Sequence, residues 1–329
     1  MSRVVRFHQT GSAEVLQIGD EQVAAPGKNE VQIQVQAIGV NRAEVMFRNG
    51  QYLEEPQLPA RLGYEAAGLI TLIGEGVSEF KVGDAVSTVP AFSQNQYGVY
   101  GELVNVPASA VVKHPAHLSM LEAAATWMQY LTAYGALVEF ADTQAGEFVL
   151  ISAASSSVSV AAIQTANMLG ATPIALTRYS NKREVLLQAG AMHVIATEEQ
   201  DLVLEVNRIT HNQGARVVFD PVGGPSIIKL AKVTAQSGII FQYGALSSEP
   251  TPLPLFPLLE RQLTIRGYTL FEISTSPHRL ARATEFILKG LNAGQLKPTV
   301  AKIFPLENVV EAHQYMESNQ QIGKIVLTV

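Results

Sequence analysis

A chain of 329 residues is long enough for two separate cores, since single hydrophobic cores stop growing at about 250–300 residues. With 47% hydrophobic and 16% charged residues the composition is globular, and a net charge of −6 gives no general attraction for nucleic acid or an anionic membrane surface. No cysteine is present, which excludes disulfides, thiolate nucleophiles and cysteine-rich zinc sites.

The N-terminal run Met1-Ser2-Arg3-Val4-Val5-Arg6 lacks the apolar stretch and small-residue cleavage site of a signal peptide, so a cytoplasmic protein is expected. Over roughly the first 120 residues short strands alternate with turns. Residues 31–38 show this best, with apolar and polar side chains alternating at a period of two. Gly63, Gly68, Gly74, Gly76, Gly83, Gly98 and Gly101 punctuate the segment, as turns and bulges of an antiparallel β domain do. Near Leu121 the period changes, and Ser119 is placed to cap a helix with Glu122 in its first turn.

From there strands and helices alternate. Strands are predicted at 148–151, 173–176, 193–195, 216–220 and 238–241, with helices at 158–169, 182–188, 202–210 and 227–234. That order specifies βαβ crossovers and a doubly wound parallel sheet, the Rossmann arrangement that binds nucleotides. The Pro-rich stretch 250–257 interrupts the alternation, and residues 263–267 open a tail that ends in a strand at 324–327. Residues 148–177 carry no charge and are long enough to cross a bilayer. Their serines, together with Gly170 and Pro173, argue instead for a buried strand-helix-strand unit, so no membrane partner is expected.

In a doubly wound sheet the dinucleotide pyrophosphate rests on the N-terminus of the helix that follows the first strand. Here that turn reads Ile151-Ser152-Ala153-Ala154-Ser155-Ser156-Ser157-Val158-Ser159, without the G-x-G-x-x-G pattern. Small side chains and free N–H groups at a helix start still meet the requirement, and the serines are expected at negative φ. About 20 residues beyond the turn an NAD site places a carboxylate for the ribose. This chain instead has Leu176-Thr177-Arg178-Tyr179-Ser180-Asn181-Lys182-Arg183. Arg178 and Lys182 suit a 2′-phosphate, so the expected cofactor is NADPH.

Several segments in order resemble the zinc-independent quinone oxidoreductase branch, which includes zeta-crystallin, of the medium-chain dehydrogenase/reductase superfamily. They are residues 26–31, 39–44, 63–68, 74–86, 122–125, 131–134, 220–224 and 323–324. The resemblance implies a GroES-like β-rich catalytic domain from residues 1–124 and 266–329, a Rossmann NADP-binding domain from 125–265, and an active site in the cleft. It places Asn41 and Tyr64 where zinc-dependent relatives carry metal ligands, so no metal is expected; His114 and His117, flanking Pro115, are read as surface residues. It also implies that Asn41 and Tyr52 are catalytic, and that Met128, Thr132, Ser156, Ser157, Val158, Arg178, Lys182, Tyr243 and Gly244 bind cofactor. Tyr64, Gln129, Tyr268 and Phe271 would line the substrate pocket. The implied reaction is hydride transfer from NADPH to a quinone or an α,β-unsaturated carbonyl, by a homodimer. Alternatives are an enoyl-thioester reductase and a non-catalytic NADPH-binding protein.

Overall fold

A computed structural model describes all 329 residues and divides them into two compact units. The first contains Met1–Met128, Ile273–Leu288 and Pro298–Val329, and the second contains Gln129–Glu272 and Lys289–Lys297.

In the first unit the alternating segment becomes the strand Glu30–Val40, the hub of a seven-stranded sheet. One edge of this strand pairs antiparallel with Glu65–Ile73, and it also pairs with Leu103–Pro107 and with the C-terminal strand Lys324–Thr328. The chain therefore closes on itself, and the register Ile325 to Val40 brings Lys324 beside Asn41. Gly39 is required here by close approach, because a Cβ would lie 2.2 Å from Ala124 O. The expected cap is present: Ser119 Oγ accepts from Glu122 N at 3.3 Å, and Glu122 accepts from Ser119 N at 2.9 Å.

The second unit contains a six-stranded parallel sheet. Its strands are Phe148–Ile151 (β1), Thr172–Thr177 (β2), His193–Ala196 (β3), Ala215–Asp220 (β4), Thr234–Gln242 (β5) and Thr264–Gly267 (β6), in the order β3-β2-β1-β4-β5-β6. Leu150, Ile174, Ile195, Val218 and Ile240 fill the centre of the sheet and are buried. Runs covered by helices on both faces have no solvated side, which accounts for the absence of charge between 148 and 177.

Two elements differ from the sequence reading. The Pro-rich stretch contains a helix, Leu255–Glu260, and Pro257 does not break it because a first-turn N–H has no intrahelical acceptor to lose. Residues 263–267, expected to open the tail, supply β6 instead, paired parallel with β5. No helix is long and apolar enough to cross a membrane.

Candidate functional site

The turn after β1 leads directly into the helix Ser157–Met168. Of the residues between 152 and 159 only Ala153 takes the left-handed conformation, at φ 45°, so the serines lie at negative φ as expected. Ser156 caps the helix with φ −69° and ψ 154°, accepting from Ser159 N at 3.2 Å. Its hydroxyl donates to Ser159 Oγ at 2.9 Å, and Ser159, fully buried, donates to Ser152 O at 2.9 Å.

The hydroxyls of Ser156 and Ser159 are thus spent on holding the turn. Ser155 and Ser157 stay partly exposed, and the first-turn N–H groups of Ser157 and Val158 have no intrahelical acceptor. This arrangement suits a phosphate, because those N–H groups and the positive end of a 12-residue helix point the same way. Tyr243 borders the turn: its ring stacks on Phe219 at 4.0 Å and its hydroxyl lies 3.4 Å from Ser159 Oγ. Gly244 follows where a Cβ would come within 2.8 Å of Pro221 O, so no larger residue fits.

Past the end of β2, Arg178 is exposed and Lys182 is partly buried, with Nζ donating to Ser155 Oγ at 3.0 Å. Burial lowers the Lys182 pKa, and the charge of Arg178 lowers it further. A lysine whose charge is made costly by burial and by Arg178, beside a phosphate-type turn, fits an anionic ligand, and an NADPH 2′-phosphate is an anion of that kind.

The helix Trp127–Tyr134 carries three more predicted residues. Met128 belongs to the first unit, and its N–H donates to Glu65 Oε1 at 3.1 Å. Gln129 and Thr132 belong to the second and are buried. Tyr268, expected to border the substrate, is buried and turns its hydroxyl onto Leu131 O at 3.2 Å; Phe271 starts a short helix nearby in sequence.

In the first unit Asn41, Tyr52 and Tyr64 surround a buried polar cluster that sequence reasoning did not assign. Asn41 precedes the helix Arg42–Arg48, and its backbone N–H donates to Glu44 Oε2 at 2.6 Å. Glu44 Oε1 also accepts from Asn41 Nδ2 at 3.1 Å and from Tyr64 N at 3.2 Å. Lys324 donates through Nζ to Asn41 Oδ1 and to Glu65 Oε2. Lys324, Glu65 and Glu44 are fully buried. The Asn-x-x-Glu spacing of 41–44 is a capping-box signature, whereas Glu65 and Lys324 open strands just as the half-exposed Glu30 does, so their burial has no local mark.

Burial raises the Glu44 pKa to about 7, against the opposing pull of Lys324 and the Asn41 hydrogen bonds. Tyr52 is pushed up to about 12 by burial, which its neighbour Tyr64 partly offsets; the two rings lie 6.4 Å apart. Tyr64 is itself raised, chiefly by burial. Both phenols are neutral donors at ordinary pH.

This donor set does not suit zinc. Asn41 Oδ1 already accepts from an ammonium, the Tyr64 phenol resists ionisation, and no group of three or more His, Cys, Asp or Glu residues gathers anywhere in the chain. His114 Nδ1 lies 3.1 Å from Ser87 Oγ, and His117 is exposed.

The domain family described as alcohol dehydrogenase GroES-like domain matches residues 27–116, and that described as zinc-binding dehydrogenase matches 157–289. Quinone oxidoreductase 1 of Escherichia coli (strain K12) is 32% identical over 330 aligned residues, 99% of each chain. Among solved structures, an NAD-dependent alcohol dehydrogenase aligns with a TM-score of 0.92 and 33% identity, over 99% of both chains. The quinone oxidoreductase of Escherichia coli complexed with NADPH aligns with a TM-score of 0.90 and 31% identity, over 99% of this chain and 100% of that one.

Proposed function

Because this chain belongs to the quinone oxidoreductase branch of the medium-chain dehydrogenase/reductase superfamily, we propose that it reduces quinones or α,β-unsaturated carbonyl compounds with NADPH. The observation that carries the reading is the serine turn with Arg178 and Lys182 beyond it and no carboxylate within residues 176–183, a stretch that Glu199 reaches from outside, its Oε1 accepting from Ser180 N at 3.1 Å. Relatives with NAD and with NADPH align comparably, so these residues decide the cofactor. Two cations favour a 2′-phosphate.

When bound, NADPH supplies the hydride. Ser157 and Val158 N–H and the hydroxyls of Ser155 and Ser157 hold its phosphates, while Arg178 and Lys182 hold the 2′-phosphate. Tyr243, Gly244 and Thr132 border the bound cofactor from the second unit, whereas Met128 belongs to the first unit, where its N–H is engaged by Glu65. Tyr52 donates to the acceptor carbonyl, stabilising the negative charge that develops on oxygen. Asn41 is not a second donor. Its Nδ2 is directed at Glu44 Oε1 and at Gly39 O, 3.3 Å away, so its role is to hold the cluster beneath Tyr64. Tyr64, whose ring lies 6.4 Å from that of Tyr52, shapes the acceptor's surroundings on the first unit.

The reaction is read as independent of zinc, supported by the ammonium at Asn41 and the neutral phenol at Tyr64. The same reading makes the enzyme a cytoplasmic homodimer. Support for the dimer comes from the helix Leu255–Glu260 beside the edge strand β6, where Leu255, Phe256 and Leu259 are 49%, 81% and 66% exposed.

The test is NADPH consumption with 9,10-phenanthrenequinone, 1,4-naphthoquinone and an alkenal. Turnover with at least one supports the reading. Tight NADPH binding without turnover of any would make the protein a cofactor binder and not a reductase.

A further inference from the structure

Tyr52 lies on a segment with little packing of its own. Leu53 is 74% exposed and Leu58 is 46% exposed, so apolar burial does not hold this stretch in place. Upstream it is anchored to the end of the helix Arg42–Arg48, where Gly50 N donates to Phe47 O at 2.9 Å and Gln51 N to Met46 O at 2.8 Å. Downstream the ties converge on one side chain. Asn95 Oδ1 accepts from Gln57 N at 2.7 Å, and Asn95 Nδ2 donates to Glu54 Oε1 at 2.9 Å and to Glu55 O at 2.9 Å. Ser93 Oγ donates to the same Glu54 oxygen and accepts from Asn95 N at 3.2 Å.

Only Tyr52 and Leu53 lie between the two anchors. The element that carries Asn95 is itself fixed to the rings that face Tyr52. Phe92 packs on Tyr64 at 5.9 Å and on Tyr97 at 6.0 Å, and Gln94 Oε1 accepts from Gly63 N at 2.8 Å. One short stretch, residues 92–97, therefore sets both the ring beneath Tyr52 and the backbone beyond it.

We propose that Asn95, acting through Glu54 and the backbone of 55–57, is a positioning residue that fixes the Tyr52 hydroxyl for the acceptor carbonyl. The inference rests on Tyr52 as the carbonyl donor. A three-bond latch on a segment without apolar packing determines how much of the time the phenol is in place. A small misplacement of a reacting group is expensive: about 1 Å can cost on the order of a hundredfold in rate.

The donor and acceptor of the Asn95–Glu54 bond can be exchanged. Asn95→Asp sets two carboxylates against each other, and adding Glu54→Gln restores an amide donor facing a carboxylate. The expected result with an enone acceptor is a roughly ten- to hundredfold fall in kcat for Asn95→Asp. At least a third of that loss should return in the double variant, and the NADPH Kd, set by residues of the second unit, should not move. In a Tyr52→Phe background Asn95→Asp should have no further effect.

Hydrogen exchange provides a readout free of catalysis: the amides of 53–55 and 57–58 should exchange faster in Asn95→Ala, with Gln57 the most affected. Unchanged exchange in Asn95→Ala, or a kcat for Asn95→Asp equal to wild type, overturns the latch. An equal loss in the single and double variants overturns it too. If the wild-type protein reduces no acceptor, the functional reading fails, while the exchange measurement still decides whether Asn95 holds the segment.

Discussion

Lys324 Nζ donates to Asn41 Oδ1, and this one bond fixes which way the Asn41 amide faces. An ammonium has no acceptor, so the oxygen must meet it and the two Nδ2 protons must turn toward Glu44 and Gly39. The contact joins residues 283 positions apart and closes the sheet that both chain ends build.

Lys324 shares its charge with Glu65, so removing it leaves a carboxylate buried and unpaired. Lys324→Met should lower the unfolding free energy by roughly 3–5 kcal/mol, and adding Glu65→Gln should recover a large part of that. Urea denaturation of the three proteins measures it, and a single variant as stable as wild type would contradict the assignment.

Stability should respond to pH in two opposed ways. Glu44, usually at 4.5, is raised to about 7 by burial, so between those values the folded state holds a proton that the unfolded chain has released. Its contribution is complete below about pH 4.5 and is lost as pH rises through about 7. His313 behaves oppositely: burial, then the charge of Arg48, lowers it from 6.5 to about 3. Arg48 Nη1 lies 3.0 Å from its Nδ1, and this contribution is complete above about pH 6.5 and lost as pH falls toward 3. Melting temperatures from pH 3 to 8 should show His313→Asn flattening the acid limb and Glu44→Gln flattening the fall toward neutrality. Unaltered limbs would refute both.

Arg178→Ala and Lys182→Ala should each weaken NADPH binding by about 1.5–3 kcal/mol, the range for hydrogen bonds to charged groups, while NADH affinity changes far less. Fluorescence titration with both cofactors measures the difference. Equal wild-type affinities would remove the role given to these two cations.

The sheet of the second unit was legible because its strands are uninterrupted apolar runs, as at 148–151 and 173–176, and turn chemistry marks the helices between them. Ser119 was legible for the same local reason. The helix at Leu255–Glu260 was hidden because Pro257 signals a break unless its place in the first turn is known. The Asn41, Glu65 and Lys324 cluster was hidden for another reason. Each residue was visible, but their pairing spans nearly the whole chain and no local pattern encodes it. The serine turn lay between these cases: its position could be read, whereas the inward hydrogen bonds of Ser156 and Ser159 depend on backbone geometry.

Phe256→Asp should convert a dimer into a monomer without unfolding it, since the side chain is 81% exposed within one chain. Light scattering coupled to gel filtration reads this directly. A wild-type protein already monomeric at micromolar concentration would dispose of the dimer.

Hydride transfer from NADPH to a conjugated carbonyl is tested most directly with NADPH deuterated at the transferable position and an enone acceptor. Mass spectrometry of the product should find deuterium on the β-carbon, with turnover strongly reduced in Tyr52→Phe. Product formed without deuterium, or bound NADPH that is never oxidised, would contradict it.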